Sequence, residues 1–444
     1  MTESNRTPGA DGAAPGAAPS PAPTDPTAHE GEEHARRHFT LVLTSLLVLV
    51  VLVAAVAVVI AAIVLARGGP VGGADADDAG AADGAALGDG VAAASGPGSL
   101  AWASPLGAES WGTPAVAGDL VLAGANNGVL SAFTHADGEK AWEFDTGGQV
   151  RSAALVGGDA VYVTSDSGMV FALAVDGSEL WRVDTGAGPV RRVWDDFGSR
   201  PALLGDALFV GTADGRLLAL AASDGSQLWE YATGAPMRSD LTTGDGRVYA
   251  IGRDGVVHAV DAASGTAVWT KPLRGDGTTS PGFSDGVLVV GSRALQVLGL
   301  DAATGEELWS SSYGASWVQS GATIVGDRVT IGSSDIGEVR QLDLATGAPA
   351  WVATIGGWPW GIPAHAGGVF YASNISTEGM QPWEASLFAL DGASGDVLWS
   401  AATGPAAEWA VDGQAMFGIA GSPVVADDLV IVAGLDGVLS AFRR

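Results

Sequence analysis

The 444-residue chain contains no cysteine, so neither a disulfide bond nor a lipid-modified cysteine can stabilise or anchor it. Basic residues are also scarce: 21 Lys and Arg stand against 50 Asp and Glu, and the formal net charge is −29. This charge argues against binding to nucleic acid and against adhesion to anionic lipid surfaces, and it favours solubility.

Residues that carry metal or catalytic chemistry are few and scattered. The six histidines are expected to have structural or solvated roles. The sequence has no glycine-rich phosphate loop that opens a helix. Asp195-Asp196 and the Glu408/Asp412 pair are candidate carboxylates for a metal or acid–base site, although loop carboxylates are usually just solvated. Asn374-Ile375-Ser376 matches the acceptor motif for N-glycosylation.

What the chain does contain is a repeat built on glycine and tryptophan. Seven times an apolar alternating stretch leads into an Asp-containing turn with a Gly four residues before a Trp, which predicts strand, turn and strand. The pairs are Gly138/Trp142, Gly177/Trp181, Gly225/Trp229, Gly265/Trp269, Gly305/Trp309, Gly347/Trp351 and Gly395/Trp399. We expect each Trp to close its own unit. The tryptophans recur roughly every 40 to 48 residues, which is the period of a propeller blade or a similar array.

A second signal, a tight Gly/Asp turn before an apolar strand, sets the number of repeats at eight. These turns begin at Gly118, Gly158, Gly205, Asp245, Asp285, Gly326, Gly367 and Asp427. The eighth repeat ends at Phe442 before any closing Trp, whereas Trp102 precedes the first repeat. We therefore predict an all-β, eight-bladed β-propeller closed by an N-terminal outer strand, Leu100 to Pro105, because this closure removes an exposed sheet edge.

The segment Ala259 to Trp269 shows the full pattern Ala-x-Asp-x-x-Ser/Thr-Gly-x-x-x-Trp. It resembles the repeats of pyrroloquinoline-quinone-type (PQQ-like) propellers, and the resemblance covers about residues 100–444. That family includes quinoprotein alcohol dehydrogenases and the non-catalytic BamB type of outer-membrane assembly lipoprotein. The motif belongs to the blade skeleton, so it indicates a fold rather than a function. Without cysteine, the chain departs from the lipid anchor that the BamB-like resemblance implies.

The segment before the repeats divides into three parts. Residues 1–40 have almost no apolar bulk and are predicted to be a disordered cytoplasmic tail. Residues 41–66 carry no charge and are long enough to span a membrane, and they start too late for a cleaved signal peptide. We expect a transmembrane helix that is a single-pass signal anchor in the cell membrane. Arg36 and Arg37 before it place the propeller, residues 100–444, on the extracytoplasmic side. Residues 67–99 read as a flexible Gly/Ala/Asp linker.

Blade-to-blade connections and turns between second and third strands share one face of a propeller. Seven tryptophans outside the blade-closing positions fall in these segments: Trp111, Trp194, Trp317, Trp358, Trp360, Trp383 and Trp409. Arginines fall there too: Arg151, Arg191, Arg192, Arg200, Arg238 and Arg274. Trp and Arg are enriched in binding hot spots, so we predict that the seven tryptophans, Arg191 and Arg192 bind a partner. The alternative is that these tryptophans only pack the core.

For function, the sequence favours a membrane-tethered scaffold that binds an envelope protein and needs no cofactor. The alternatives are an oxidoreductase with PQQ and calcium, and a propeller that binds a glycan or small ligand. The resemblance to quinoprotein dehydrogenases implies a calcium ion held by carboxylate and amide oxygens, an aspartate base and typically a vicinal disulfide. The chain has no cysteine for that disulfide and no long insertions, so we expect a non-enzymatic role.

Overall fold

The structure is a computed structural model that describes residues 95–188, 198–275, 277, 279–377, 380, 386–411 and 414–444, without the side chains of 407–411 and 414. All these residues fall in one unit, Asp89–Arg444, and they form strands and turns. Within these ranges no helix is long and apolar enough to cross a membrane. The predicted tail, span and linker up to residue 94 lie outside the described residues.

Thirty-five strands make up the described fold. The first seventeen are β1 Leu100–Pro105, β2 Ala115–Ala117, β3 Leu120–Gly124, β4 Val129–Thr134, β5 Lys140–Asp145, β6 Leu155–Gly157, β7 Ala160–Thr164, β8 Met169–Ala174, β9 Glu179–Asp184, β10 Ala202–Leu204, β11 Ala207–Gly211, β12 Arg216–Ala221, β13 Gln227–Ala232, β14 Thr242–Gly244, β15 Arg247–Ile251, β16 Val256–Asp261 and β17 Ala267–Pro272. The others are β18 Gly282–Ser284, β19 Val287–Ser292, β20 Gln296–Asp301, β21 Glu307–Ser312, β22 Ala322–Val325, β23 Arg328–Gly332, β24 Glu338–Asp343, β25 Pro349–Thr354, β26 Ala364–Ala366, β27 Val369–Ser373, β28 Ile375–Thr377, β29 Leu387–Asp391, β30 Val397–Ala401, β31 Pro405–Val411, β32 Gln414–Gly418, β33 Val424–Ala426, β34 Leu429–Ala433 and β35 Val438–Arg443.

The described strands form eight four-stranded antiparallel sheets and one three-stranded sheet. Sheets 1 to 6 each take four consecutive strands, beginning with β2–β5 and ending with β22–β25. Sheet 7 has the order β26-β27-β29-β30, and sheet 8 has the order β1-β35-β34-β33. The three-stranded sheet has the order β28-β32-β31, so it combines two segments that interrupt the repeat pattern.

The hydrophobic core lies between neighbouring sheets. The third strands are buried on both sides, as in Leu217 to Leu220 of β12, whereas the fourth strands alternate exposed and partly buried residues. One apolar cluster joins Leu122 of sheet 1 to Phe171 of sheet 2, and another joins Ile431 of sheet 8 to Val121 of sheet 1. Each sheet therefore depends on its neighbours to bury its apolar faces, as expected for a repeat array.

The repeated tryptophans join one sheet to the next. Trp142 in β5 of sheet 1 donates its indole N–H to the Val175 carbonyl of sheet 2 at 2.9 Å. Its ring also covers Gly177, where an added Cβ would lie 2.6 Å away. Equivalent contacts join Trp102 to Gly138, Trp181 to Gly225, Trp229 to Gly265, Trp269 to Gly305, Trp309 to Gly347 and Trp351 to Gly395. Each Trp also pairs within its own sheet, as Trp142 does with Ala132, so the expectation that the Trp closes its own unit stands. The added finding is that the Gly and Trp of one repeat contact different neighbouring repeats.

The first described strand completes the last sheet. Strand β1 pairs with β35, and Trp102 lies opposite Ala441. The prediction that the N-terminal strand joins the C-terminal strands is therefore confirmed. The ring of Trp399 from sheet 7 packs on Gly98, just before β1, where an added Cβ would lie 3.1 Å from the ring, so the N-terminal segment also supplies the glycine that this Trp contacts.

Candidate functional site

Equivalent positions of the repeats surround a cavity of about 420 Å³. At this position of each repeat, the lining residue lies four residues before the first strand of its sheet, or three in the case of Gln319. These residues are Trp111, Arg151, Gly198, Arg238, Gln319, Trp360 and Ala420. The fifth repeat has Thr278 at this position, which lies outside the described residues. One position of the repeat therefore determines much of the cavity surface.

Four arginines line the cavity on the side of repeats 2 to 5. Arg151 and Arg238 occupy the equivalent position just described, while Arg253 and Arg293 come from the turns between second and third strands in sheets 4 and 5. The Arg151 Nε lies 3.6 Å from a carboxylate oxygen of Asp166 and donates to Asn126 Oδ1 at 3.2 Å. The site is thus locally rich in cations, although the protein as a whole is acidic.

Hydrogen bonds between consecutive repeats hold the cavity rim. The Arg200 backbone N–H donates to Asp240 Oδ1 at 3.0 Å, and the Asp240 N–H donates to Ser280 Oγ at 3.1 Å. Across the seam between repeats 8 and 1, the Ser422 N–H donates to Thr113 Oγ1 at 2.8 Å. Burial raises the pKa of Asp240, and the neighbouring Arg200 opposes that rise. These bonds fix the backbone from which the lining side chains project.

Four tryptophans also line the cavity, and they come from repeats 1, 6 and 7. Trp358 and Trp360 stack with ring centres 5.6 Å apart and an angle of 14° between their planes. The Trp360 indole N–H donates to Ser334 Oγ at 3.1 Å. Trp317 is 42% exposed, and the Arg293 guanidinium carbon lies 4.8 Å from its ring centre. These rings offer apolar surface next to the arginines.

Trp111 is the most buried of the four, at 3% exposure. It belongs to an apolar cluster with Ile375, Met416 and Leu435, against which Trp358 and Trp360 also pack. Most of its surface therefore serves packing, which was the alternative interpretation, and only a small part faces the cavity.

The three-stranded sheet supports this aromatic side. It combines β28 with β32 and β31, and Ile375 of β28 forms a backbone bridge with Trp358. The Ile375 carbonyl accepts the Trp358 N–H at 2.7 Å. Asn374 and Ser376 are fully buried, so the interpretation of this segment as a glycosylation site is wrong.

The structure brings together four of the predicted site residues, Trp111, Trp317, Trp358 and Trp360. Trp194, Trp383, Arg191 and Arg192 lie outside the described residues, as do Asp195 and Asp196, and Trp409 is described only as backbone in β31. Arg274 is exposed, and the cavity lining does not include it.

Sequence reasoning did not identify Arg253 and Arg293 as site residues. The available signal was their position in turns between second and third strands, which were expected on the same face as the blade connections. The described residues contain no group of three or more His, Cys, Asp or Glu side chains that could hold a metal ion.

Comparison with known proteins identifies the family. A family model described as outer membrane protein assembly factor BamB matches residues 88–240, 167–276 and 253–444. A relative with the same description from Xanthomonas campestris pv. campestris is 34% identical over 109 residues. That match covers 24% of this chain and only 26% of the relative, so it spans about a quarter of the relative's length.

Solved structures share the fold at low sequence identity. BamB from Moraxella catarrhalis has a TM-score of 0.57 at 20% identity, covering 77% of this chain and 96% of that chain. Quinohemoprotein alcohol dehydrogenase from Comamonas testosteroni has a TM-score of 0.61 at 15% identity, covering 78% and 76%. A europium-containing methanol dehydrogenase has a TM-score of 0.60 at 13% identity, covering 78% and 93%.

These structural likenesses show the β-propeller fold alone, because scaffolds and enzymes share it. The family matches extend from residue 88 to residue 444 and so cover most of the sequence. The chain therefore belongs to the PQQ-like β-propeller family described as outer membrane protein assembly factor BamB.

Proposed function

We propose that this protein is a membrane-tethered scaffold of the cell envelope, and that the face with the cavity docks another envelope protein. The observation that carries the proposal is the convergence of Arg and Trp side chains from most repeats on one cavity. Trp and Arg are the residue types that most often dominate binding energy at interfaces.

Two further parts of the proposal concern architecture. The eight sheets are the eight blades of a single ring, supported by the pairing of β1 with β35 and by the apolar cluster between sheets 8 and 1. Residues 41–66 form the single-pass anchor and residues 67–99 the linker, supported by their composition. The ring then lies on the extracytoplasmic side.

The relatives named for outer membrane protein assembly suggest where such a scaffold acts. We propose that its partner belongs to machinery of that kind. The docking face also includes Trp194, Trp383, Trp409, Arg191 and Arg192, which share the predicted face of the repeats. A rigid rim held by hydrogen bonds between repeats lowers the entropy cost of docking, because little must be ordered on binding.

The dehydrogenase neighbours raise a second candidate, an oxidoreductase with PQQ and calcium. Calcium takes six to eight oxygen ligands, several of them from carboxylates. Among the described lining residues the carboxylates are Asp240 and Asp335, and Asp240 already bonds the rim backbone. The described donor set does not fit a calcium ion, so we derive no redox step from this site.

The test compares a double variant at the cavity with a control substitution at the other end of the strands. Full-length tagged protein is captured from solubilised native membranes as the parent, as the double variant Arg238→Gln/Trp317→Ala, and as the control Arg328→Gln. Arg328 is 41% exposed, does not line the cavity and pairs with Asp327 and Asp343 in its own repeat. Unchanged thermal unfolding and circular dichroism establish that each variant is folded.

We expect the parent and the control to capture the same envelope protein and the double variant to lose it. Equal capture by all three would remove the cavity face from the proposal. If nothing is captured and the parent instead retains polysaccharide, the glycan-binding alternative replaces the scaffold.

A further inference from the structure

The cavity has two unlike sides. Along the repeats, the equivalent positions read Trp, Arg, Gly and Arg in repeats 1 to 4, and Gln, Trp and Ala in repeats 6 to 8. We call Arg151, Arg238, Arg253 and Arg293 the arginine arc, and Trp111, Trp317, Trp358 and Trp360 the tryptophan arc. The two arcs meet where the Arg293 guanidinium lies over the Trp317 ring, 4.8 Å from its centre.

The arginine arc suits carboxylates. The four guanidiniums of the described lining outnumber its two carboxylates, Asp240 and Asp335, and also outnumber them together with Asp166, which lies beside Arg151. Each arginine also makes other contacts within the protein, which hold its side chain in place. A guanidinium has five N–H donors in a planar fork, so it can serve an internal acceptor and a ligand carboxylate together.

The tryptophan arc suits an aromatic or large apolar side chain. The stacked pair Trp358 and Trp360 is only partly buried, and Trp317 keeps 42% of its surface exposed. Aromatic rings gain from offset or edge-on contact with such faces beyond the area that they bury. The Trp360 indole N–H is already bonded to Ser334, so this wall presents mainly apolar surface.

Size and net charge restrict the occupant. Ligand pockets typically enclose roughly 300–1,000 Å³, and this cavity of about 420 Å³ accommodates a short peptide segment but no folded domain. A long polyanion would meet the repulsion of a protein with net charge −29. For a segment with one or two carboxylates, attraction to the nearby arginines dominates, because charges farther away than about one Debye length, roughly 8–10 Å, are largely screened.

We infer that the cavity receives an extended peptide segment of a partner protein in which a carboxylate side chain and an aromatic side chain lie close together in sequence. The carboxylate lies against the arginine arc and the aromatic ring against the tryptophan arc. The inference rests on the proposed scaffold function and specifies what the scaffold recognises on its partner.

The test measures binding of a short fluorescein-labelled peptide that alternates aspartate and phenylalanine, by fluorescence anisotropy with the full-length protein in detergent. Two matched peptides carry asparagine in place of aspartate, or alanine in place of phenylalanine. We expect the parent protein to bind each matched peptide about tenfold more weakly, a loss typical of an interface hot spot.

Protein variants locate the two contacts. Arg238→Gln should weaken binding of the peptide that alternates aspartate and phenylalanine about tenfold. Binding of the asparagine-substituted peptide should stay nearly unchanged, since only the aspartate peptide loses an ion pair. Trp317→Ala should weaken binding of the same peptide that alternates aspartate and phenylalanine, and it should leave binding of the alanine-substituted peptide nearly unchanged. Arg328→Gln should change neither, and Arg253→Gln replaces Arg238→Gln if the latter fails to fold.

Equal affinity for the aspartate and asparagine peptides would overturn the inference, as would an unchanged affinity in a folded Arg238→Gln protein. These outcomes are separable from failure of the scaffold itself. If a membrane partner is captured through the cavity face and the acidic aromatic peptide does not compete with it, the scaffold stands and the inference is wrong. If the peptide binds as expected and no partner is captured, the scaffold proposal fails instead.

Discussion

The two ends of the strands differ in kind, although the same repeats build both. At the end away from the cavity, turns after the third strands share one design: Asp261 accepts the Ser264 N–H at 2.8 Å, and Asp301 accepts the Thr304 N–H at 2.8 Å. At the cavity end, equivalent positions hold Trp, Arg, Gly, Gln or Ala, and an additional sheet is inserted. The uniform end maintains contacts between repeats, so the other end is free to vary and to form a site.

Two buried carboxyl groups on the cavity side differ in their electrostatics from carboxyl groups in the turns at the other end. The Ser264 hydroxyl and backbone N–H hold the pKa of Asp261 below its ordinary value, and Asp301 is lowered in the same way by Thr304. In contrast, burial raises the pKa of Asp240 and Asp436 on the cavity side. Ionisation of Asp261 and Asp301 thus stabilises their turns, whereas burial makes the ionisation of Asp240 and Asp436 unfavourable.

The largest expected effect compares two tryptophans, one that packs between sheets and one that lines the cavity. Trp102 is 8% exposed and donates its indole N–H to the His135 carbonyl at 2.9 Å, whereas Trp317 is 42% exposed. Trp102→Ala should lower the free energy of unfolding by about 3–5 kcal/mol, because it leaves a cavity at the seam between sheets 8 and 1. Trp317→Ala should cost about 1 kcal/mol or less. Urea unfolding of both variants measures the difference, and equal losses would contradict this distinction.

A smaller effect is expected from two glycines with similar backbone angles. Gly305 has φ +75°, and an added Cβ would lie 2.7 Å from the Trp269 ring. Gly314, at the cavity end of sheet 5, has φ +66° and nothing within 4 Å.

Gly314→Ala should cost about 1–2 kcal/mol for the left-handed backbone alone. Gly305→Ala should cost roughly 1–3 kcal/mol more, because the methyl group meets the ring. The excess measures the contact between sheets 4 and 5, and urea unfolding that shows no excess would mean that this contact contributes little.

The smallest effect concerns pH and has opposite signs at the two ends. The folded pKa of Asp261 is lowered, so its contribution is present above its ordinary value of 3.8 and is lost as the pH falls through the folded pKa. The folded pKa of Asp436 is raised, so its ionisation costs stability as the pH rises from 3.8 through the folded value.

Asp261→Asn should therefore reduce the loss of stability in acid, and Asp436→Asn should reduce the loss at higher pH. The measurement is the slope of unfolding free energy against pH for each variant and the parent. A shift of both slopes in the same direction would show that the two ends do not differ in this respect.

Much of the fold was predictable because its signals are local. The pairing of β1 with β35 was predicted from the glycine and tryptophan spacing, the tight turns and the position of Trp102 before the first repeat. The contact of Trp142 with Gly177 was not predicted, since it joins two repeats across their interface. The sequence pattern shows which residues recur in the repeats, but it does not show which residues of neighbouring repeats are in contact.

The site was predictable only in part. Trp111, Trp317, Trp358 and Trp360 were expected on one face, and they line one cavity. The burial of Trp111 fits the packing alternative, and its partners could not be predicted, because Met416 and Ile375 come from two distant segments. Those segments pair in the three-stranded sheet, which joins residues far apart in sequence.

The sequence by itself determined the repeat, its turns and its family, because each depends on residues within one period of the chain. Only the tertiary structure decided that Arg253 and Arg293 join Arg151 and Arg238 in the lining of one cavity, together with the tryptophans. The physical reason is that these side chains meet only after the sheets have packed on one another, and that packing is driven by apolar faces elsewhere in each repeat.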